Sequence, residues 1–165
     1  MRGANLTSGV YILVIKLESG GSYPIGKLGA LDFPAGYYCY VGSALNGVEA
    51  RISRHFRPEK KLHWHIDYLL QHAAISATVY AEIPRKRGPS KHVLREECRI
   101  ARYLARFFAG VRGFGCSDCR CPSHLFYSES AAVLRARTAE AFSRAKLTRV
   151  HFQPVSTAAD SPAQD

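Results

Sequence analysis

The sequence predicts an α+β fold: a small central sheet, mixed but mostly antiparallel, flanked by helices, with an extra hairpin inserted between its first two long strands. Two observations lead there. Apolar runs at 10–17 (VYILVIKL), 37–41 (YYCYV) and 77–83 (ATVYAEI) are rich in β-branched and aromatic residues, the side chains that suit a pleated surface. Stretches at 48–56, 62–73, 91–108 and 130–146 instead repeat apolar residues at helical spacing.

Taken in order, 10–17 is a strand and 18–36 separates it from the strand at 37–41 by more residues than a simple hairpin needs. Residues 22–25 add a short strand, and 29–36 carry turn residues. Gly42-Ser43-Ala44 forms a turn into the helix at 48–56, where Val48, Ile52 and Phe56 are expected to face the core. In the helix at 62–73, Leu62, Ile66, Leu69 and Leu70 are apolar. After the strand at 77–83 comes a basic loop with two prolines (84–90, PRKRGPS), then the helix at 91–108 and an irregular Gly- and Cys-rich loop at 110–121. A strand after that loop, a helix at 130–146 and a strand at 149–153 complete a single domain over 1–154, and the small, polar tail at 155–165 is expected to be disordered.

A chain of 165 residues with 47% apolar residues can bury one sizeable core. Its formal charge of +10 favours polyanionic partners, nucleic acid first among them. No apolar run reaches transmembrane length and the start, MRGANLTSG, lacks a secretion pattern, so a cytoplasmic protein without a membrane partner is expected. Five cysteines, three of them within 116–121, read as reduced thiols and not as a disulfide framework.

The helix at 91–108 separates two kinds of charge. Arg95, Arg99, Arg102 and Arg106 step by four, three and four residues and form one stripe. Leu94, Cys98, Ala101, Leu104, Ala105 and Phe108 lie opposite. Glu97 falls inside that apolar arc and Glu96 well outside it. A carboxylate on a core-facing side is costly unless paired or bound to metal, which makes Glu97 the candidate metal ligand. With Arg85, Lys86, Arg87 and Lys91 just ahead, the arginine stripe suggests a phosphate-contacting surface that positions nucleic acid without reading its sequence.

Two short motifs remain, Gly9-Val10-Tyr11 and Tyr40-Val41-Gly42, each at one end of a strand-like run. Paired as neighbours, those strands would bring two phenols into one pocket. Arg51 and His55, four apart on the following helix, share one of its sides. Together these residues resemble the GIY-YIG nuclease superfamily. The longer pattern YCYVGSA, RISRHF, HWHIDYLL, EECRIA and FGCSDCRCPSHLFY is similar to a small prokaryotic branch labelled Uri-type endonucleases, over about residues 9–127. The resemblance implies a compact sheet and an active site of Tyr11, Tyr40, Arg51 and His55. It also implies one divalent ion, Mg²⁺ or Mn²⁺, on Glu97. An asparagine near the end of the family's core has no match here.

His63, His65 and Asp67 lie close together; in a helix His63 and Asp67 share a face. Asp67 would then orient His63 or anchor an arginine near the pocket. Cys116, Cys119, Cys121 and His124 have the spacing C-x2-C-x-C-x2-H. Cys119 and Cys121 stand too close for an ordinary zinc knuckle, so buried thiols and a turn around Asp118 are favoured over zinc, unless folding brings Cys98 or Cys39 near. His63, Asp67, Asp118, Cys119, Cys121 and His124 are thus candidates for supporting groups or zinc ligands.

The expected function is a divalent-metal-dependent endonuclease, a hydrolase of DNA phosphodiester bonds, in which Tyr11 is the base or a relay to it. An inactive nucleic-acid-binding module and a zinc-stabilised RNA-binding protein are the alternatives.

Overall fold

The computed structural model describes residues 7–84 and 91–156. Its strands are β1 (Ser8–Leu17), β2 (Gly21–Pro24), β3 (Ala30–Phe33), β4 (Gly36–Ala44), β5 (Ala74–Ile83), β6 (Ala109–Gly110), β7 (Leu125–Ser128) and β8 (Val150–Pro154). Its α-helices are α1 (Val48–His55), α2 (His65–Leu69), α3 (Lys91–Leu104) and α4 (Ala131–Arg144). Six strands form one sheet in the order β6-β7-β4-β1-β5-β8, and β2 and β3 form the separate hairpin. The α+β class is as the sequence predicts, with every pairing among the described residues antiparallel and none parallel.

Strand β1 is central and nearly all buried, because it has helices on one face and helices plus the hairpin on the other. Alternation sends Val10, Ile12 and Val14 to one face, where α3 and α4 pack with Ile100, Leu104, Leu134 and Phe142. Tyr11, Leu13, Ile15 and Leu17 go to the other, with Tyr38 and Tyr40 of β4, Val48 and Ile52 of α1, and Phe33 of the hairpin.

Several elements differ from the sequence reading. Helix α1 turns Val48, Ile52 and His55 inward, while Phe56 is 44% exposed. The helix ends at His55, whose ring takes the inward place predicted for Phe56. Helix α2 spans only His65–Leu69, since the Asp67 carboxylate accepts from the backbone N–H groups of His63 and Trp64 and fixes the start there. Beyond Leu104 the predicted helix at 91–108 relaxes into turns that lead into β6. Val155, assigned to a disordered tail, donates its N–H to Ser76 O at 2.9 Å; residues 157–165 lie outside the described residues.

The register pairs Tyr11 of β1 with Gly42 of β4. A Cβ on Gly42 would run into the Tyr11 ring, and one on Gly9 would meet the Ala81 carbonyl. The glycines of the two tyrosine motifs are therefore places where a ring and a backbone come too close for any side chain. Gly42→Ala should lower stability by about 1–3 kcal/mol, the range for overpacking a core. Denaturant unfolding checks this, and near-ultraviolet circular dichroism should report the displaced Tyr11 ring.

Candidate active site and adjoining thiol cluster

Strand β7 pairs with β4 only over Tyr37–Tyr40. Past Tyr40, the Val41 N–H is met instead by the carbonyl of His124, in the loop before β7, at 2.9 Å. Beside the far end of β4 lies a cavity of about 240 Å³. Tyr11, Tyr40, Gly42, Arg51 and Trp64 line it, as do Ser43, Glu97 and His124. The first group comes from the elements that build the tyrosine face. Glu97 comes from α3, which packs on the opposite face, and reaches the cavity at this end of the strand.

The rings of Tyr11 and Tyr40 stand 6.4 Å apart. The Tyr11 hydroxyl lies 2.8 Å from His55 Nε2, both residues being almost fully buried. His55 sits behind Tyr11 and is not part of the cavity wall, and its ring also neighbours those of Tyr40 and Trp64, which are. Burial raises the Tyr11 pKa well above 10; Arg51 opposes the shift and Glu97 reinforces it. Tyr40 is raised for the same reason, and by Tyr11 beside it. Burial lowers His55 from 6.5 to about 4, against the pull of Asp67, and leaves it neutral at pH 7. Its Nδ1 is buried with no hydrogen-bond partner among the described residues.

Arg51 lies over the Trp64 ring at 4.4 Å, with Nη1 3.5 Å from Ser43 O. Arg54 stacks against the same indole at 4.4 Å and meets Asp67 through both carboxylate oxygens, at 2.9 and 3.1 Å. Asp67 therefore anchors an arginine near the pocket, one of the two roles predicted for it. It meets His63 through the backbone only, so it does not orient the imidazole. Burial opposes ionisation of Asp67, but Arg54 and the two backbone N–H groups outweigh it and hold its pKa below the usual range.

The two glutamates of α3 exchange their predicted environments in part. Glu96, expected to be solvent-facing, is 4% exposed and pairs with Arg99 at 3.2 Å. Leu94, expected to be buried, is 40% exposed. The helix turns Val93, Ile100 and Leu104 to the core, so its buried face is rotated from the one composition indicates. Glu97 still projects into the cavity, where Ser43 Oγ donates to one carboxylate oxygen and His124 Nδ1 lies 3.0 Å from the other. This carboxylate in a hydroxyl-lined cavity suits a hard cation that keeps most of its waters.

Next to Glu97, ligand atoms of Cys98, Cys119, Cys121 and His124 all lie within 4.8 Å of one another. This group can hold a metal ion. It corrects the expectation of mere buried thiols, because the fold brings Cys98 of α3 against the loop. Cys116 points its thiol to Phe114 O at 3.3 Å, and Cys39 is buried in the sheet core. Burial raises Cys98, whereas hydrogen bonds from His124, Cys98 and Cys119 overcome burial at Cys121 and lower it. His124 is raised, its bonds to Glu97 and Cys121 outweighing burial.

Lys91, Arg95, Arg99 and Arg102 line a groove that shares Leu94, Cys98, Asp118 and Cys119 with the cavity. His63 and the exposed Asp118 belong to the cavity wall. Arg106 leaves the predicted stripe and stacks on Tyr103 and Phe107 at 6.0 and 5.8 Å. Arg85, Lys86 and Arg87 lie outside the described residues. Ser43, Trp64 and Arg54 were not singled out from sequence. The HWHID block carried the signal for Trp64; Ser43 falls in the predicted turn at Gly42-Ser43-Ala44, whereas β4 continues through those residues and carries its side chain to the cavity.

A family model described as a domain of unknown function, DUF123, matches residues 10–147. The chain belongs to that family. The DUF123 match contains every cavity and cluster residue and leaves out β8. No curated protein and no solved structure matches the chain. No helix among the described residues is long and apolar enough to cross a membrane.

The unfolded chain protonates His55 below about 6.5 and the folded chain only below about 4, so folding stability falls as pH drops through that window. The loss should approach about 3 kcal/mol, and His55→Phe should abolish that part of the pH dependence. Urea unfolding at a series of pH values measures it. Asp67→Ala should destabilise by about 3 kcal/mol, since it strands Arg54 and unties two backbone N–H groups. The same unfolding assay at pH 7 checks that value.

Proposed function

We propose that this DUF123 protein is a divalent-metal-dependent endonuclease that hydrolyses phosphodiester bonds in DNA, as its GIY-YIG resemblance implies. One observation carries the reading: Tyr11, Tyr40, Arg51 and Glu97 line a single cavity, with His55 bonded to Tyr11 from behind. Glu97 would hold Mg²⁺ or Mn²⁺, which when bound offsets charge on the scissile phosphate and the leaving oxygen. Arg51, steadied by the Trp64 face, offers a fixed positive fork to a phosphate oxygen.

The proton chemistry follows from burial. A phenol raised above its ordinary pKa is a poor free base, so Tyr11 serves as a relay. In the tautomer that leaves Nε2 unprotonated, its O–H donates to the neutral His55 imidazole. As the attacking water gives a proton to the Tyr11 oxygen, the phenol proton passes to His55 Nε2 only for the duration of the step, because burial disfavours the imidazolium, and no phenolate accumulates. Tyr40 closes the cavity beside Tyr11 and limits where the water sits. The groove of Lys91, Arg95, Arg99 and Arg102 would lead the nucleic-acid backbone toward Glu97.

A panel of linear and branched DNAs, assayed with Mg²⁺ and Mn²⁺, tests this. Tyr11→Phe and Glu97→Ala should each slow cleavage by about 100-fold or more while leaving DNA affinity near the wild-type value. Cleavage by Glu97→Ala at the wild-type rate would remove the mechanism. Salt-sensitive DNA binding by the wild type without cleavage under any divalent ion would identify an inactive binding module instead.

A further inference from the structure

The thiol and imidazole cluster beside the cavity has a donor set unlike that of Glu97. Three sulfurs and one nitrogen are soft or borderline ligands, which suit zinc and not magnesium. In a tetrahedral zinc site with bonds of ordinary length, ligand atoms stand roughly 3.7 Å apart. The four atoms here already lie within 4.8 Å of one another, and Cys119 Sγ is 3.4 Å from His124 Nε2. Little movement separates this arrangement from a bound one.

His124 is held so that only one of its nitrogens can serve. Its backbone N–H donates to Phe114 O at 2.8 Å and its carbonyl accepts from Val41 N–H at 2.9 Å. Its Nδ1 lies 3.0 Å from a Glu97 oxygen, which leaves Nε2 facing the thiols. A carboxylate on the far nitrogen of a metal-binding histidine fixes its tautomer and raises its basicity. Glu97 stands in that position, its other oxygen held by Ser43.

We propose that Cys98, Cys119, Cys121 and His124 form a closed, structural zinc site, and that His124 ties this site to the Glu97 carboxylate. Four protein ligands leave no position for a substrate. The ion would cross-link α3 to the loop between β6 and β7. That loop contains no helix or strand and is otherwise held by the buried Phe114 ring, by Gly115 N–H donating to His65 Nδ1 and by backbone bonds such as Gly113 N–H to Pro122 O at 2.8 Å. Zinc binding would thereby set the position of Glu97 from one imidazole away. Only the bearing of this link on cleavage rests on the nuclease reading; the zinc site does not.

The full chain, purified under reducing conditions without a metal resin, should contain about one zinc per molecule by elemental analysis. Replacement with Co²⁺ should give a thiolate-to-cobalt charge-transfer band and the intense visible bands of a tetrahedral ion. Cys98→Ser should lose at least about tenfold in zinc affinity, and Cys116→Ser should match the wild type. Glu97→Ala should bind zinc about 10- to 100-fold more weakly in competition with a chromophoric chelator. A wild-type protein with neither zinc nor a thiolate–cobalt band overturns the site, whether or not Cys98→Ser folds. Loss of zinc in Cys116→Ser but not in Cys98→Ser overturns the ligand set. Unchanged zinc affinity in Glu97→Ala overturns the link through His124. None of these readings depends on DNA cleavage, so failure of the nuclease reading leaves them untouched.

Discussion

The close approach of the Tyr11 ring to Gly42 is the contact on which the site depends. It is possible only because β1 and β4 pair antiparallel in one register, and a slip of one residue would turn every side chain of a strand to the opposite face. That register puts Tyr11, Tyr38 and Tyr40 on the same side of the sheet. It also aims the Tyr11 hydroxyl at the end of α1, where His55 takes the inward position.

The shortness of β7 is the second constraint. A longer β7 would have continued along β4 past Tyr40 and filled the place where Glu97 meets the tyrosines. The loop ahead of β7 instead contributes only the His124 carbonyl to β4, and turns its imidazole toward Glu97 and the thiols. Residues from opposite faces of the sheet can then share a cavity, which is uncommon where a continuous sheet separates two cores. Glu97 and Cys98 are adjacent on α3 and both line the cavity, Cys98 also joining the thiol cluster.

Burial assigns different protonation behaviour to groups that look alike in sequence. The same desolvation that holds the Tyr11 phenol protonated holds the His55 imidazole neutral, and the two face each other across 2.8 Å. The positive charge of Arg51 is too weak to reverse the effect at Tyr11. A free-base role for Tyr11 would need positive charge nearby to lower its pKa; residue spacing reports nearby charge but not the loss of water.

The order of strands and helices apart from β6, the two tyrosine motifs, the inserted hairpin and the basic character of α3 were legible in the chain. Each follows from local periodicity or composition, which act over a few residues. The inward turn of His55 in place of Phe56, the burial of Glu96 beside Arg99 and the arrival of Cys98 among the thiols of the loop were decided by tertiary structure. They depend on how a helix is rotated about its axis and where a loop lands. Those are set by the summed packing of both sheet faces, a quantity that no single segment carries.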